Sequence, residues 1–327
     1  MSTMVLMINL TSSSVAFAAP TTFNVVDLGA KGDGRTDSTR AFLGHGNRVA
    51  PPLLPPLSMC RKDDTSSTRS YLPGSAKVVL PLKLMALLLL LRIIAFLGLR
   101  QIFHIVIHDC KNVKLQQVQV TASGNSPNTD GIHVQGSTDV TITQANIKTG
   151  DDCISIGPGT TNLWMENINC GPGHGISIGS LGKAANEQGV QNVTVKTATF
   201  SGSQNGVRIK TWARPSTGYV KGVLFEDIII NNARNPIIID QDYCPHNEGC
   251  PGQVSGVKIS DVVYRNIRGS SGSQVAMKFD CSPKTPCSGI VLNNVDLTYG
   301  SKSASSSCIN ADGSAFGLVH PSSCLAA

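Results

Sequence analysis

From Gln101 onward, aliphatic residues alternate with polar ones in short runs, and the runs return at a regular interval. One set reads Asp130-Gly131-Ile132-His133-Val134, then Asp151-Asp152-Cys153-Ile154-Ser155-Ile156, then Gly173-His174-Gly175-Ile176-Ser177-Ile178. A fourth copy, Asn205-Gly206-Val207-Arg208-Ile209-Lys210, follows a longer loop. A second set lies between them: Asn112-Val113-Lys114-Leu115, Asp139-Val140-Thr141-Ile142, Asn162-Leu163-Trp164-Met165, Asn192-Val193-Thr194-Val195, Gly222-Val223-Leu224-Phe225, Gly256-Val257-Lys258-Ile259 and Gly289-Ile290-Val291-Leu292. Period-two alternation marks strands that lay one face on a core. The runs are not joined by two-residue hairpin turns, and no helical spacing separates them. A recurrence of roughly 22 to 34 residues lies in the solenoid range. The pattern predicts an all-β chain folded as a right-handed parallel β-helix.

In such a coil, residues one period apart become neighbours at about 4.8 Å. Asp130, Asp152 and His174 are spaced by 22 residues each. They are expected to form a column on one surface, with Asp151 beside it and Arg208 and Lys210 one coil further on. Asp-Asp and Asn-Thr-Asp-Gly are ordinarily turn punctuation, and a histidine between glycines is ordinarily just exposed. Register argues otherwise here. Stacked carboxylates cost stability that a solenoid has no need to spend. They also raise one another's pKa, so that one can hold a proton while its neighbours stay ionised. Glycoside cleavage needs that pair of states, an acid for the leaving oxygen and a base for water. Three carboxylates could instead hold calcium, but the neighbouring Arg208 and Lys210 favour an anionic substrate over a cation. No metal or cofactor is expected.

Asn128-Thr129-Asp130, Gly150-Asp151-Asp152, Gly173-His174-Gly175 and Arg208-Ile209-Lys210, in this order, resemble the four signature motifs of the polygalacturonases of glycoside hydrolase family 28. The text around them, Ser126 to His133 and Gly171 to Gly182, is similar to the plant branch, and within it to the pollen-type exopolygalacturonases. The resemblance covers Phe23 to about Phe42 and residues 101 onward. It implies that Asp151 is the general acid, that Asp130 and Asp152 activate water, and that His174 supports the acid's protonation state. It implies that Arg208 and Lys210 grip a galacturonate carboxylate, with Asn128 and Tyr243 lining the same cleft. The implied reaction is inverting hydrolysis of α-1,4 links in polygalacturonate, exo-action favoured. Adjacent coils would set the carboxylates closer than separation rules expect for an inverting enzyme; the resemblance outweighs that distance. The rivals are a catalytically inactive, allergen-like β-helix that binds pectin, and a calcium-dependent lyase.

The chain has 327 residues, a net charge of +6 and only 15% charged residues. That balance suits a β-helix with uncharged polar ladders and a polyanionic wall polymer as partner. No basic cluster is interleaved with aromatics, so a nucleic-acid partner is not expected, and a monomer is. Residues 1–18 end in Ala16-Phe17-Ala18 and read as a signal peptide for secretion to the cell wall, although they lack a basic start. Residues 19–42 read as the start of the β-helix and 101–327 as its catalytic body. Residues 43–100 break the repeat, with a proline run at Pro51 to Pro56 and an apolar stretch from Leu84 to Leu99. That stretch falls short of the ~20 residues of a membrane span and reads as a buried helix or as untranslated sequence. Members of the family carry several more coils in this interval, so the N-terminal coils are incomplete.

Ten cysteines fit an oxidising compartment. The later ones fall into close pairs, giving expected bridges Cys153–Cys170, Cys244–Cys250, Cys281–Cys287 and Cys308–Cys324, while Cys60 and Cys110 are left unassigned. Asn192-Val193-Thr194 is a glycosylation sequon, or else Asn192 is an unmodified ladder residue. Trp212, just beyond Lys210, is equally placed to stack on sugar or to pack.

Overall fold

The computed structural model describes residues 103–245 and 248–326, with two short strands upstream, β1 (Leu57–Met59) and β2 (Ala76–Val79). The predicted signal peptide, the segment 19–42, the apolar stretch and Cys60 lie outside the described residues. Every named strand pairs in parallel, and the strands form two sheets. The first sheet holds β1, β3 (Phe103–His108), β6 (Asp130–Gln135), β8 (Ile154–Ile156), β10 (Ile176–Leu181), β12 (Asn205–Trp212), β14 (Asn235–Tyr243), β16 (Val275–Asp280) and β18 (Ser305–Ile309), in that spatial order. The second runs from β2 through β4 (Lys111–Gln116), β7 (Thr138–Lys148), β9 (Thr161–Cys170), β11 (Val190–Ser201), β13 (Tyr219–Ala233), β15 (Lys258–Ser271) and β17 (Cys287–Thr298) to β19 (Ala311–His320). The short β5 (Gln119–Thr121) pairs with β7. The chain alternates between the sheets, so the architecture is a parallel β-helix. Within residues 43–100, β1 and β2 add one row to each sheet ahead of β3 and β4.

Alternation places one aliphatic row above another. Ile132, Ile154, Ile176, Val207, Ile237 and Met277 stack coil on coil and are fully buried. Val113, Val140, Leu163, Val193, Val223, Val262 and Ile290 form the facing row in the second sheet. Each such side chain contributes about 1.5–3 kcal/mol by leaving water, and truncating one, as in Ile176→Ala, costs about 2–5 kcal/mol. The residue just before each member of that facing row is Asn, Asp or Gly for a backbone reason. Asn112, Asp139, Asn162, Asn192, Gly222, Asp261 and Gly289 all have φ between 54° and 65°, a left-handed corner that these residue types tolerate best. One expected repeat is out of step. Val223 pairs with Val262, not Val257, so the corner residue of that coil is Asp261 rather than Gly256. Gly256-Val257-Lys258-Ile259 alternates just as well, which is why hydrophobicity alone did not mark the slip.

Candidate active site

The functional side chains sit where coils enter the first sheet. Asp130 opens β6, Asp151 and Asp152 lie in the turn before β8, and His174 lies in the turn before β10. Arg208 and Lys210 point outward from β12, and Tyr243 ends β14. The Gly131 amide donates to Asp152 O at 2.9 Å and the Cys153 amide to Gly175 O at 2.8 Å, which sets Asp130, Asp152 and His174 in one column. Coils approach too closely there for a side chain on the following residue. A Cβ on Gly131 would lie 2.6 Å from Cys153 O, and one on Gly175 would lie 2.4 Å from Gly206 O. The glycine beside each polar residue is therefore a packing requirement.

Asp151 faces a cleft of about 490 Å³. Its carboxylate accepts three hydrogen bonds: from His174 Nδ1 at 3.0 Å, from the Asp152 amide at 2.8 Å and from the Asn128 amide at 3.1 Å. Asn128 reaches it with a left-handed backbone, φ 56°. Burial pushes the Asp151 pKa up, but the hydrogen bond and charge of His174, with the charge of Lys210, outweigh it and hold the group below the ordinary carboxylate value. In the unliganded protein Asp151 thus carries charge, whereas the role implied by resemblance needs a proton on it.

Beneath it lies a buried layer, where a surface column was expected. Asp130 is 7% exposed and Asp152 2%. Asp152 Oδ2 accepts from Lys210 Nζ at 2.8 Å and Asp152 Oδ1 accepts from Ser177 Oγ at 2.7 Å. Lys210 is itself buried, and despite that burial Asp152 raises its pKa above the usual lysine value. Asp130 has no such cation at hand. Burial, then the charges of Asp152 and Asp151, raise its pKa to about 8. Asp151, Asp152 and His174 bring one donor atom each within 4.8 Å of one another, a spacing that fits a cation. Hydrogen bonds already engage both Asp152 oxygens and both Asp151 oxygens, so no metal site is assigned.

Asn128, Asp151, His174, Arg208, Lys210 and Tyr243 all line the cleft. Arg208 and Lys210 lie 5.0 and 5.2 Å from the centre of the Tyr243 ring, so one aromatic face supports both cations. Arg208 Nη2 is 3.7 Å from Asp240 Oδ2. Burial raises the Asp240 pKa against the opposing charge of Arg208. Sequence reasoning missed Asp240, Asp242, Lys278 and Asp280 on the cleft wall. Register could have found two of them, since Lys210, Asp240 and Asp280 occupy one row across β12, β14 and β16. It also missed Ser155 and Ser177, paired in register, whose signal was the repeated Ile-Ser-Ile.

Trp212 packs edge-on against Tyr243 at 5.3 Å and bonds Ser180 Oγ. Asn192 is exposed, and its amide donates to Asn162 Oδ1 at 2.7 Å, a rung of the ladder that continues from Asn162 to Asp139. Disulfides join Cys153 to Cys170, Cys244 to Cys250, Cys281 to Cys287 and Cys308 to Cys324. The Cys244 bridge anchors the loop that carries Pro245 onto the cleft wall.

With this geometry in place, the chain can be set beside known proteins. The family model for glycosyl hydrolases family 28 matches residues 98–324. The chain is 64% identical over 225 residues to a polygalacturonase of Prunus persica, which covers 69% of this chain and 57% of that protein. It is 48% identical over 212 residues to an exopolygalacturonase of Platanus acerifolia, covering 64% of this chain and 56% of that one. Among solved structures, the endo-xylogalacturonan hydrolase from Aspergillus tubingensis matches with a TM-score of 0.55 at 25% identity, covering 65% of this chain and 63% of that chain. The chain spans just over half the length of these curated relatives. Its motifs, its coiled sheets and its match over residues 98–324 agree: the chain belongs to glycosyl hydrolases family 28.

Proposed function

We propose that this protein hydrolyses the α-1,4 links of polygalacturonate by single displacement with water. The observation that carries the reading is one cleft in which Asp151 shares the wall with Arg208, Lys210 and Tyr243, directly above the buried pair Asp130 and Asp152. The cations suit a galacturonate carboxylate, with Arg208 the more available because Lys210 is bonded to Asp152. The acid is armed by its substrate. A polyanion filling the cleft expels water and brings negative charge to Asp151, and both raise its affinity for a proton. The C1–O bond then breaks as the leaving oxygen takes the Asp151 proton and water adds to C1. The proton of that water passes to the Asp130–Asp152 pair, whose charged member, Asp152, is stabilised by Lys210 and Ser177. This single step inverts the anomeric centre.

Exo-action is the favoured mode. The kinship to a protein named an exopolygalacturonase supports it, as do the carboxylates of Asp240, Asp242 and Asp280, which repel a polyanion running past Arg208. The four disulfides suit secretion, and the wall polymer suits an extracellular monomer. The test is reducing-sugar release from polygalacturonate by the purified chain, with products separated by size and the new anomer followed by NMR. Monogalacturonate from the earliest times supports exo-hydrolysis, and a ladder of oligomers supports endo-action. No release of reducing ends, or unsaturated products absorbing in the ultraviolet, overturns the hydrolase reading.

A further inference from the structure

His133 belongs to the column after the catalytic one, and the proposed mechanism leaves it unused. Its ring stacks flat on Phe103, with centroids 4.4 Å apart and planes at 12°. Nε2 lies 3.2 Å from Gln135 Oε1, and Nδ1 lies 2.8 Å from Ser155 Oγ. The Ser155 hydroxyl also reaches the Asp130 carboxyl. These contacts make one unbroken chain: Gln135, His133, Ser155, Asp130.

A neutral imidazole has one hydrogen to give, and a serine hydroxyl has one. His133 is kept neutral, since burial lowers its pKa. Only two arrangements of the chain are then self-consistent. In one, Nε2–H donates to Gln135 Oε1, Ser155 donates to the bare Nδ1, and Ser155 Oγ must accept from a protonated Asp130. In the other, every hydrogen runs the opposite way and Asp130 is a carboxylate, which needs the Gln135 amide turned over. The oxygen of Gln135 faces the ring. The charges around Asp130 select the same arrangement. Asp151 and Asp152 oppose a charge there, and Lys210, whose ammonium is bonded to Asp152, offsets them only in part. The His104 ring touches the backbone oxygen of Asp130 and not its carboxyl.

We infer that His133 is a positioning residue: acting through Ser155, it holds the Asp130 carboxyl in its protonated, hydrogen-donating form and leaves Asp152 as the ionised member of the pair. The consequence for turnover rests on the hydrolytic reading above; the assignment of the proton does not.

The test reads the proton directly, by the pH titration of the Asp130 carboxyl carbon in protein labelled with ¹³C at aspartate Cγ, assigned by its loss in Asp130→Asn. In the parent protein the midpoint is expected near 8. His133→Phe keeps the stack on Phe103 but removes the acceptor, so Ser155 turns its hydrogen onto Asp130. The midpoint then falls by about one pH unit, the worth of one neutral hydrogen bond. His133→Asn, whose amide oxygen replaces Nδ1, restores it. Ser155→Ala decides the sign independently: the midpoint falls if Ser155 accepts from Asp130 and rises if Ser155 donates to it. A rise in Ser155→Ala, an unmoved midpoint in His133→Phe, or equal falls in His133→Phe and His133→Asn overturns the inference. None of these readings depends on turnover, so a chain that fails to cleave polygalacturonate overturns the hydrolase reading and leaves this one standing. Where the chain is active, the pH profile of kcat/KM is expected to move with the midpoint in His133→Phe and to return in His133→Asn.

Discussion

Lys210 Nζ lies 2.8 Å from Asp152 Oδ2, with both side chains more than nine-tenths buried. The contact ties β12 to the turn before β8, two coils away. A lysine read from sequence as a grip on substrate is therefore also the counter-charge of a buried carboxylate. Removing one partner leaves the other charged and uncompensated. Lys210→Ala is expected to cost about 3–5 kcal/mol of stability. Asp152→Asn combined with Lys210→Met should recover much of that loss, because no bare charge remains. Denaturation midpoints of the two single variants and the double variant close the cycle. Strict additivity would show that the pair is not coupled.

Asp151 calls for the opposite expectation, since it holds the chemistry and little of the fold. Asp151→Asn keeps the shape and exchanges one acceptor for a donor facing an amide or His174. The cost in stability is about 1–3 kcal/mol. Hydrolysis of polygalacturonate should vanish while the circular dichroism spectrum stays that of the parent. Turnover near the parent rate would remove Asp151 from the acid role.

The fold was legible because a coil repeats its chemistry. Period-two alternation gave the inward rows, and the Asn, Asp and Gly at the left-handed corners marked where each coil turns. Asp130, Asp152 and His174 could be aligned because nothing is inserted between their coils. Depth was not legible. A carboxylate on the surface of a turn and one covered by the next coil have the same spacing, so the burial of Asp130 and Asp152 had to come from coordinates. Nor was pairing across two coils visible: nothing in Arg208-Ile209-Lys210 says that the lysine turns back to Asp152 while the arginine approaches Asp240. The Gly256 misalignment has the same origin, because alternation fixes the face and not the register.

The Cys153–Cys170 bridge separates stability from site geometry. It spans 17 residues and fastens the residue next to Asp152 to the end of β9. Cys281–Cys287 spans only six. Chain entropy assigns about 3 kcal/mol to the first and about 2 kcal/mol to the second. Replacing both cysteines of the first pair by alanine should lower the melting temperature and also turnover, because Asp151 and Asp152 lose their anchor. Replacing those of the second should lower the melting temperature less and spare turnover at temperatures where the chain stays folded. Equal losses of turnover would deny the first bridge any part in holding the carboxylates.

Asp130 gives a dependence on pH opposite in sign to that of an ordinary ion-paired carboxylate. Its native pKa of about 8 stands above the ~3.9 of an aspartate in an unfolded chain. Between those values the native state holds a proton that the unfolded chain has released. Stability therefore falls as pH rises from about 4 to about 8 and levels off beyond. Below about pH 4 both states are protonated and the group contributes nothing. Asp130→Asn removes this dependence, since an amide is neutral throughout and can still donate to Ser155. The variant should match the parent near pH 4 and exceed it near pH 8, by on the order of a few kcal/mol, while losing activity. Denaturation curves collected at intervals from pH 4 to 9 test this, and a parent whose stability rises toward pH 8 along with that of Asp130→Asn would show that Asp130 is ionised in the native protein.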